Sequence, residues 1–273
     1  MRGQRTDPVA WAFRVYLALV VLFVVAPILF VFVYAFSSVS FAVFPPPGFS
    51  TRWFAKLFQQ GYLLRAAGNS VIVALSATVV SLIAGTLAAM ALVRYRFRGR
   101  ELARAMFLSP LVVPRIAFGI GMLIYAVTVR RFGGLDSLIL THLMLTLPFV
   151  ISVMSASLVG AERVLEEAAM DLGATPLTTF FRITLPQIRT GLAVSAFFAF
   201  IISWDQVEAS LFLVKTQNMT LPVAMFYYLQ DQQDPVIAAL STFLIGIAVV
   251  VAGALVATMK PRDLGRLLGG ARS

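Results

Sequence analysis

Long apolar runs alternate with short polar connections along the chain. Six runs are long and nearly free of charge: 12–36, 69–93, 103–128, 138–160, 191–214 and 236–259. A helix rising about 1.5 Å per residue needs about 20 apolar residues to cross a hydrocarbon core about 30 Å thick. The pattern therefore predicts an all-α membrane protein with six transmembrane helices. The first run follows Arg2 and Arg5 and has Arg14 at its start, as in a signal peptide. It exceeds the roughly 7–15 apolar residues of a signal core, so it reads as an uncleaved first span. Pro45-Pro46-Pro47-Gly48 marks a turn in the first outer loop, 37–68, where Phe49, Trp53, Phe54 and Phe58 suit a segment lying along the interface.

Composition strengthens this reading. Of 273 residues, 60% are apolar and 12% charged, with mean hydropathy +0.90, far from the roughly 45–50% and 25% of soluble domains. The formal charge of +10 invites a nucleic-acid reading until the cations are placed. With the N-terminus inside, fifteen of the 22 cations fall on inner segments and six on outer ones; Arg115 lies within a span. This is the positive-inside bias, and it puts both termini in the cytoplasm. The run Arg94 to Arg100 (Arg-Tyr-Arg-Phe-Arg-Gly-Arg) fits a topogenic loop near anionic headgroups, so lipid is the expected partner and nucleic acid is not. The expected organisation is a cytoplasmic tail at 1–11, a six-span domain at 12–260 with a long inner loop at about 161–190, and a cytoplasmic tail at 261–273.

Bond chemistry finds no machinery here. There is no cysteine, His142 is the single histidine, and none of Lys56, Lys215 and Lys260 follows the glycine that a phosphate-binding loop needs. No catalytic or metal-ligating residues are expected, and no cofactor in this chain. ATP, if used, belongs to another chain.

The inner loop is unusual for a solvated linker. It runs Glu166-Glu167-Ala168-Ala169-Met170-Asp171-Leu172-Gly173-Ala174-Thr175-Pro176, then through Phe180, Phe181 and Arg182 to Ile183-Thr184-Leu185-Pro186. Two short helices are predicted. The first stops at Gly173 in a left-handed cap. The second starts with Thr175 as N-cap and Pro176 at the first helical position, and ends at Pro186. Glu167 and Asp171 at i, i+4 repel mildly, small residues beside them permit close approach, and two phenylalanines face water. Such a helix pair looks like a docking element.

Glu167-Ala168-Ala169, three residues, Gly173, nine residues, then Ile183-x-Leu185-Pro186 resembles the signature loop of permease subunits of binding-protein-dependent type I ABC importers. The resemblance covers nearly the whole chain, including Asn69-Ser70 opening the second span and Pro110 and Pro114 in the third. It implies a six-span permease fold with both ends inside, in a bacterial inner membrane. It also implies three kinds of partner: a cytoplasmic ABC ATPase dimer holding ATP and Mg, a second permease subunit, and an extracytoplasmic solute-binding protein. The coupling residues it implies are Glu166, Glu167, Ala168, Ala169, Asp171, Gly173, Ile183, Leu185 and Pro186.

Apart from Arg14 and Arg104 at span edges, three charged residues fall inside expected spans: Arg115, Asp205 and Glu208. Such groups are costly in lipid and face a cavity or one another. Asp205 and Glu208 at i, i+3 would share a helix face, and Trp204 offers a ring to a cation. These four residues are the expected solute pathway, for a positively charged solute; Arg115 is alternatively an ion-pair partner of one acid, and the fifth span alternatively ends before Glu208. Ser203 to Phe212 and Thr220 to Phe226 resemble spermidine/putrescine-type permeases, although that subfamily often has adjacent acids where this chain has Asp205-Gln206. Relatives of that subfamily also serve aminoethylphosphonate, thiamine, opines and ferric ion. The rival class is an ion-coupled secondary transporter, with Asp205, Glu208 and Arg115 as a relay. His142 is expected to be neutral and hydrogen-bonded near the outer interface, and Ala84, Gly85, Ala88, Ala89, Gly119 and Gly121 to let helices pack closely.

Overall fold

The computed structural model describes residues 8–258. Arg2, Arg5, Lys260, Arg262, Arg266 and Arg272, which carry part of the topological argument, lie outside the described residues, as do 1–7 of the expected N-terminal tail and the whole of 261–273. Regular structure among the described residues is helical, apart from an isolated antiparallel bridge between Ser37 and Phe49. In chain order the helices are α1 (Pro8–Ala35), α2 (Arg52–Gln59), α3 (Gly61–Arg94), α4 (Arg100–Leu108), α5 (Arg115–Thr128), α6 (Leu135–Val159), α7 (Arg163–Asp171), α8 (Pro176–Thr179), α9 (Leu185–Trp204), α10 (Leu221–Asp231) and α11 (Val236–Thr258).

Four continuous helices are long and apolar enough to cross a membrane: Val9–Ala35, Gly61–Arg94, Leu135–Val159 and Pro176–Trp204. A fifth is broken, because the expected third span, 103–128, is two helices meeting at 103°. Pro110 and Pro114 remove two backbone donors, and Pro114 is extended at ψ 131° before α5 starts at Arg115. The expected sixth span appears as α11, apolar over Val236–Val251. The second span starts at Gly61, eight residues before the expected 69.

The fifth expected span, 191–214, is displaced. Helix runs without interruption from Pro176 through a π-type turn at Phe180–Thr184 into α9, and stops at Trp204. Pro186 therefore ends nothing. It lacks the N–H that the Arg182 carbonyl would receive, and the longer register, with Leu185 N–H bonded to Phe180 O, lets the helix continue. At the other end the Ser210 hydroxyl donates to the Gln206 carbonyl at 2.9 Å, a local bond that competes with helix continuation.

The chain divides into two compact units, one formed by residues 62–227. Its core joins three helices: Ala89 from α3, Val150, Met154 and Leu158 from α6, and Ile188 and Ala199 from α9. Small residues set the approach. A Cβ on Gly85 would meet Val150 Cγ1 at 2.6 Å, and one on Gly191 would collide with the Ser157 side chain. Gly119 of α5 packs as closely, with Ala209 Cα 2.7 Å from where its Cβ would stand. Gly121 differs from expectation: nothing lies within 4 Å of its Cβ position, because it points away from that contact. Asn69 and Ser70 tie α3 to the 215–221 connection, Asn69 Nδ2 donating to the Met219 carbonyl at 3.0 Å and Ser70 Oγ accepting from Leu221 N at 2.7 Å.

The other unit contains the described parts of residues 1–61 and 228–273. Here α11 packs against α1 and α2, with Phe58 edge-on to Phe243 at 5.5 Å. Of the aromatics in this loop Phe49 and Phe58 are exposed, whereas Trp53 is buried and its indole N–H donates to the Ser37 carbonyl at 2.7 Å. Lys56 of α2 donates to Asp234, which also accepts from the Tyr228 hydroxyl at 2.8 Å and from Val236 N at 3.1 Å. Burial alone would raise the Asp234 carboxyl pKa. The bonds from Lys56, Tyr228 and Val236 outweigh it and hold the carboxyl below its ordinary value.

Candidate coupling loop and solute pathway

The inner loop folds as a capped helical turn fused to a long helix. Helix α7 ends in a Schellman arrangement: Gly173 N–H bonds to Met170 O at 2.9 Å, Ala174 N–H bonds to Ala169 O at 3.0 Å, and Gly173 takes φ +88°. Thr175 then caps α8, its hydroxyl accepting from Thr178 N at 3.2 Å. Gln187 of α9 accepts from Glu162 N at 2.9 Å, so the start of α7 is tied to the helix that follows the loop.

The expected coupling residues separate into two groups. Glu166 faces inward: its side chain is nearly buried, and it accepts from Arg94 at the end of α3 at 2.9 Å. A carboxylate bound this way anchors the loop, and Arg94, which sequence reasoning counted only as a topological cation, is its partner. Glu167 lies outside, paired with Arg163 one turn earlier at 2.8 Å. Ala168, Asp171 and Gly173 are exposed, Ala169 is half-buried, and Ile183 and Leu185 are half-buried beside the exposed Pro186. Leu172 is 90% exposed at the tip, with Val164 and Leu177 also projecting. Sequence reasoning passed over these three. An apolar residue beside the left-handed glycine was the available signal. An apolar groove of about 570 Å³ adjoins the loop, between Val79 to Met90 of α3 and Pro176 to Leu192.

Arg115, Asp205 and Glu208 follow the alternative reading of the sequence: the helix ends before Glu208, and Arg115 pairs with one of the two acids. Since α9 ends at Trp204, Asp205 and Glu208 share no helix face. Asp205 is the exposed C-cap residue, where the negative end of the helix dipole adds to its own charge. Glu208 lies in the turn that follows, 3.7 Å from Arg115, both half-exposed. Trp204 stacks on Phe200, the rings 5.8 Å apart. Arg115 is the first residue of α5, at the break in its own span. Two interrupted segments thus meet, with Gly119 of α5 set against Ala209. Non-helical backbone at membrane depth is tolerated where it is enclosed by protein or lines a cavity. An ion pair between two such breaks has the chemistry of a site that holds and releases charge.

His142 is buried, 1% exposed, and hydrogen-bonded as expected. It sits in α6, with Nδ1 2.7 Å from Ser203 Oγ and Nε2 2.9 Å from Ser210 Oγ. Among the described residues no group of three or more His, Cys, Asp or Glu is placed to hold a metal ion.

Residues 81–262 match the family described as binding-protein-dependent transport system inner membrane component. The putrescine transport system permease protein PotI of Escherichia coli (strain K12) is 35% identical over 236 residues, 84% of each chain. The spermidine/putrescine transport system permease protein PotC of Shigella flexneri is 31% identical over 241 residues, 88% of this chain and 91% of its own. PotC of Haemophilus influenzae is 33% identical over 211 residues, 77% of this chain and 82% of its own. The matched region contains the glycine-capped loop, the buried Glu166 anchor and both broken segments. The chain belongs to the inner membrane components of binding-protein-dependent transport systems and is a permease subunit of an ABC transporter.

Proposed function

We propose that the chain forms half of the pathway through which a small cationic amine of the spermidine/putrescine kind enters the cytoplasm. The observation carrying this is the pair of membrane acids, Asp205 and Glu208, at the end of α9 in a chain similar to PotI and PotC over most of its length. In this reading six helices span the membrane with both termini inside: α1, α3, the bent α4–α5 pair, α6, the 176–204 helix and α11. A sister permease completes the pathway and a loaded binding protein docks outside. An ATPase dimer on separate chains closes on ATP and Mg, and Leu172, Gly173 and the exposed face of α7 seat in it. Because 176–204 is one helix, displacement at α8 is carried to Trp204, where Glu208 and Arg115 meet, and the pathway changes the side it faces. Glu167, Ala168, Ala169 and Asp171 contact the ATPase, while Glu166, Ile183, Leu185 and Pro186 hold the element in shape.

The experiment is uptake of labelled putrescine into proteoliposomes holding the whole complex and its binding protein. ATP trapped inside should drive uptake, and a proton or sodium gradient alone should not. Uptake driven by a gradient without ATP overturns the importer mechanism. ATP-dependent uptake of aminoethylphosphonate, thiamine or ferric ion with no uptake of putrescine overturns the amine assignment alone.

A further inference from the structure

The buried histidine has a geometry that packing does not require. Ser203 lies in the last turn of α9 and Ser210 opens the short helical turn Ser210–Phe212. His142 bonds to both, so one side chain from α6 bridges the interruption that carries Asp205 and Glu208. The proton positions follow from the partners. The single hydroxyl proton of Ser210 goes to the Gln206 carbonyl at 2.9 Å, so its oxygen accepts from His142 Nε2–H. Nδ1 then accepts the proton of Ser203. Both ring nitrogens are paired in this arrangement.

The network continues outward. Gln206 is 1% exposed, its amide nitrogen donating to Glu208 Oε2 at 3.3 Å, the same oxygen that faces Arg115. The other amide atom of Gln206, Oε1, is buried with no hydrogen-bond partner. Buried polar groups cost free energy unless paired, and an aliphatic side chain would fill the site of His142 at less cost. What the polar chain adds is direction: it spans residues 206–209, which belong to neither helical segment.

We propose that His142 is a positioning residue which, through Ser210 and Gln206, holds the Glu208 carboxylate against Arg115 and so sets how firmly the pathway carboxylate is engaged before a cation displaces the arginine. This rests on the reading of Glu208 as a pathway residue. It assigns to His142, Ser203, Ser210 and Gln206 a share in solute handling although none of them need touch the solute.

The absence of cysteine allows a solute-independent test. Val207→Cys, within the bridged turn, is labelled in the assembled complex with a cationic methanethiosulfonate reagent and read by the mass of this chain. Adding Ser210→Ala or His142→Leu should raise the labelling rate about tenfold, the factor matching one lost hydrogen bond. An unchanged rate in both variants overturns the proposal. If His142→Leu fails to assemble, Ser210→Ala, which loses only a hydroxyl, carries the measurement. The functional arm is putrescine moved per ATP hydrolysed. His142→Leu should lower this ratio about tenfold while ATPase stimulation by the loaded binding protein is kept, and should lower it no further in a Glu208→Gln background. Equal losses in both backgrounds overturn the link through Glu208. If the wild-type complex moves no putrescine, the amine reading fails and the labelling rates alone decide the role of His142.

Discussion

At Gly173 the backbone turns with φ +88°, a conformation that costs a residue bearing a Cβ about 1 kcal/mol or more. No atom lies within 4 Å of the Cβ position, so space is not what selects glycine there; conformation is. Gly173→Ala should therefore lower the helicity of a peptide spanning 160–190, and Gly173→Asn should do so less, as circular dichroism would show. Gly173→Asp should add charge at the docking tip and abolish ATPase association or coupling while membrane insertion persists; transport at the normal rate would remove the residue from the coupling element. Leu172 was invisible to motif reasoning because the signature fixes its neighbour and leaves its own position free, yet it is the most exposed of the loop's large apolar side chains. Asp205→Asn should slow transport of a cationic solute, since among the described residues the C-cap acid has no cation within ion-pair distance. An unchanged rate profile for putrescine would return Asp205 to a structural role.

Elements were legible where a single physical rule decided them and illegible where two rules competed. Hydropathy alone located α1, α6 and α11 to within a few residues. The cap at Gly173 and Thr175 followed from local chemistry. The break at Pro114 did not, because apolarity continues through it and only the missing donors interrupt the helix; the early end of α9 was legible only as an alternative, because apolarity continues past Trp204. Pro186 was misjudged for the converse reason: a π-type turn absorbs its missing N–H. Close packing was legible by type, since Gly85 and Gly119 do hold helices together, but not by orientation, as Gly121 shows. Gly119→Val should overpack the contact with Ala209 and cost about 1–3 kcal/mol, read as a lower midpoint in thermal unfolding of the purified complex. The Asp234 latch gives an element-scale pH prediction. Its carboxyl lies below its ordinary value when folded, so its contribution is complete above about pH 4, the unfolded value, and is lost as pH falls through the folded value. Amide protection at 232–238 should hold from pH 7 to about 5 and fall below about 4. Asp234→Asn should remove that dependence.

For the molecule as a whole, a strongly basic, apolar chain without cysteine is what a permease subunit requires, since most of its surface must suit lipid. In the proposed topology the excess of cations labels the sides of the membrane, whereas two of the few acids join separate segments, Glu166 holding the loop to α3 through Arg94 and Glu208 meeting Arg115. The unbroken helix from Pro176 to Trp204, about 43 Å at the usual rise, has a consequence that runs against the direction of drive. If closure of the ATPase alters how tightly Glu208 is held, then occupancy beside Glu208 must alter the affinity of the ATPase for nucleotide by the same factor. A solute resting in the pathway is in that sense an effector of a nucleotide site on another protein, and its presence should be measurable there as a shift in ATP binding before any turnover occurs.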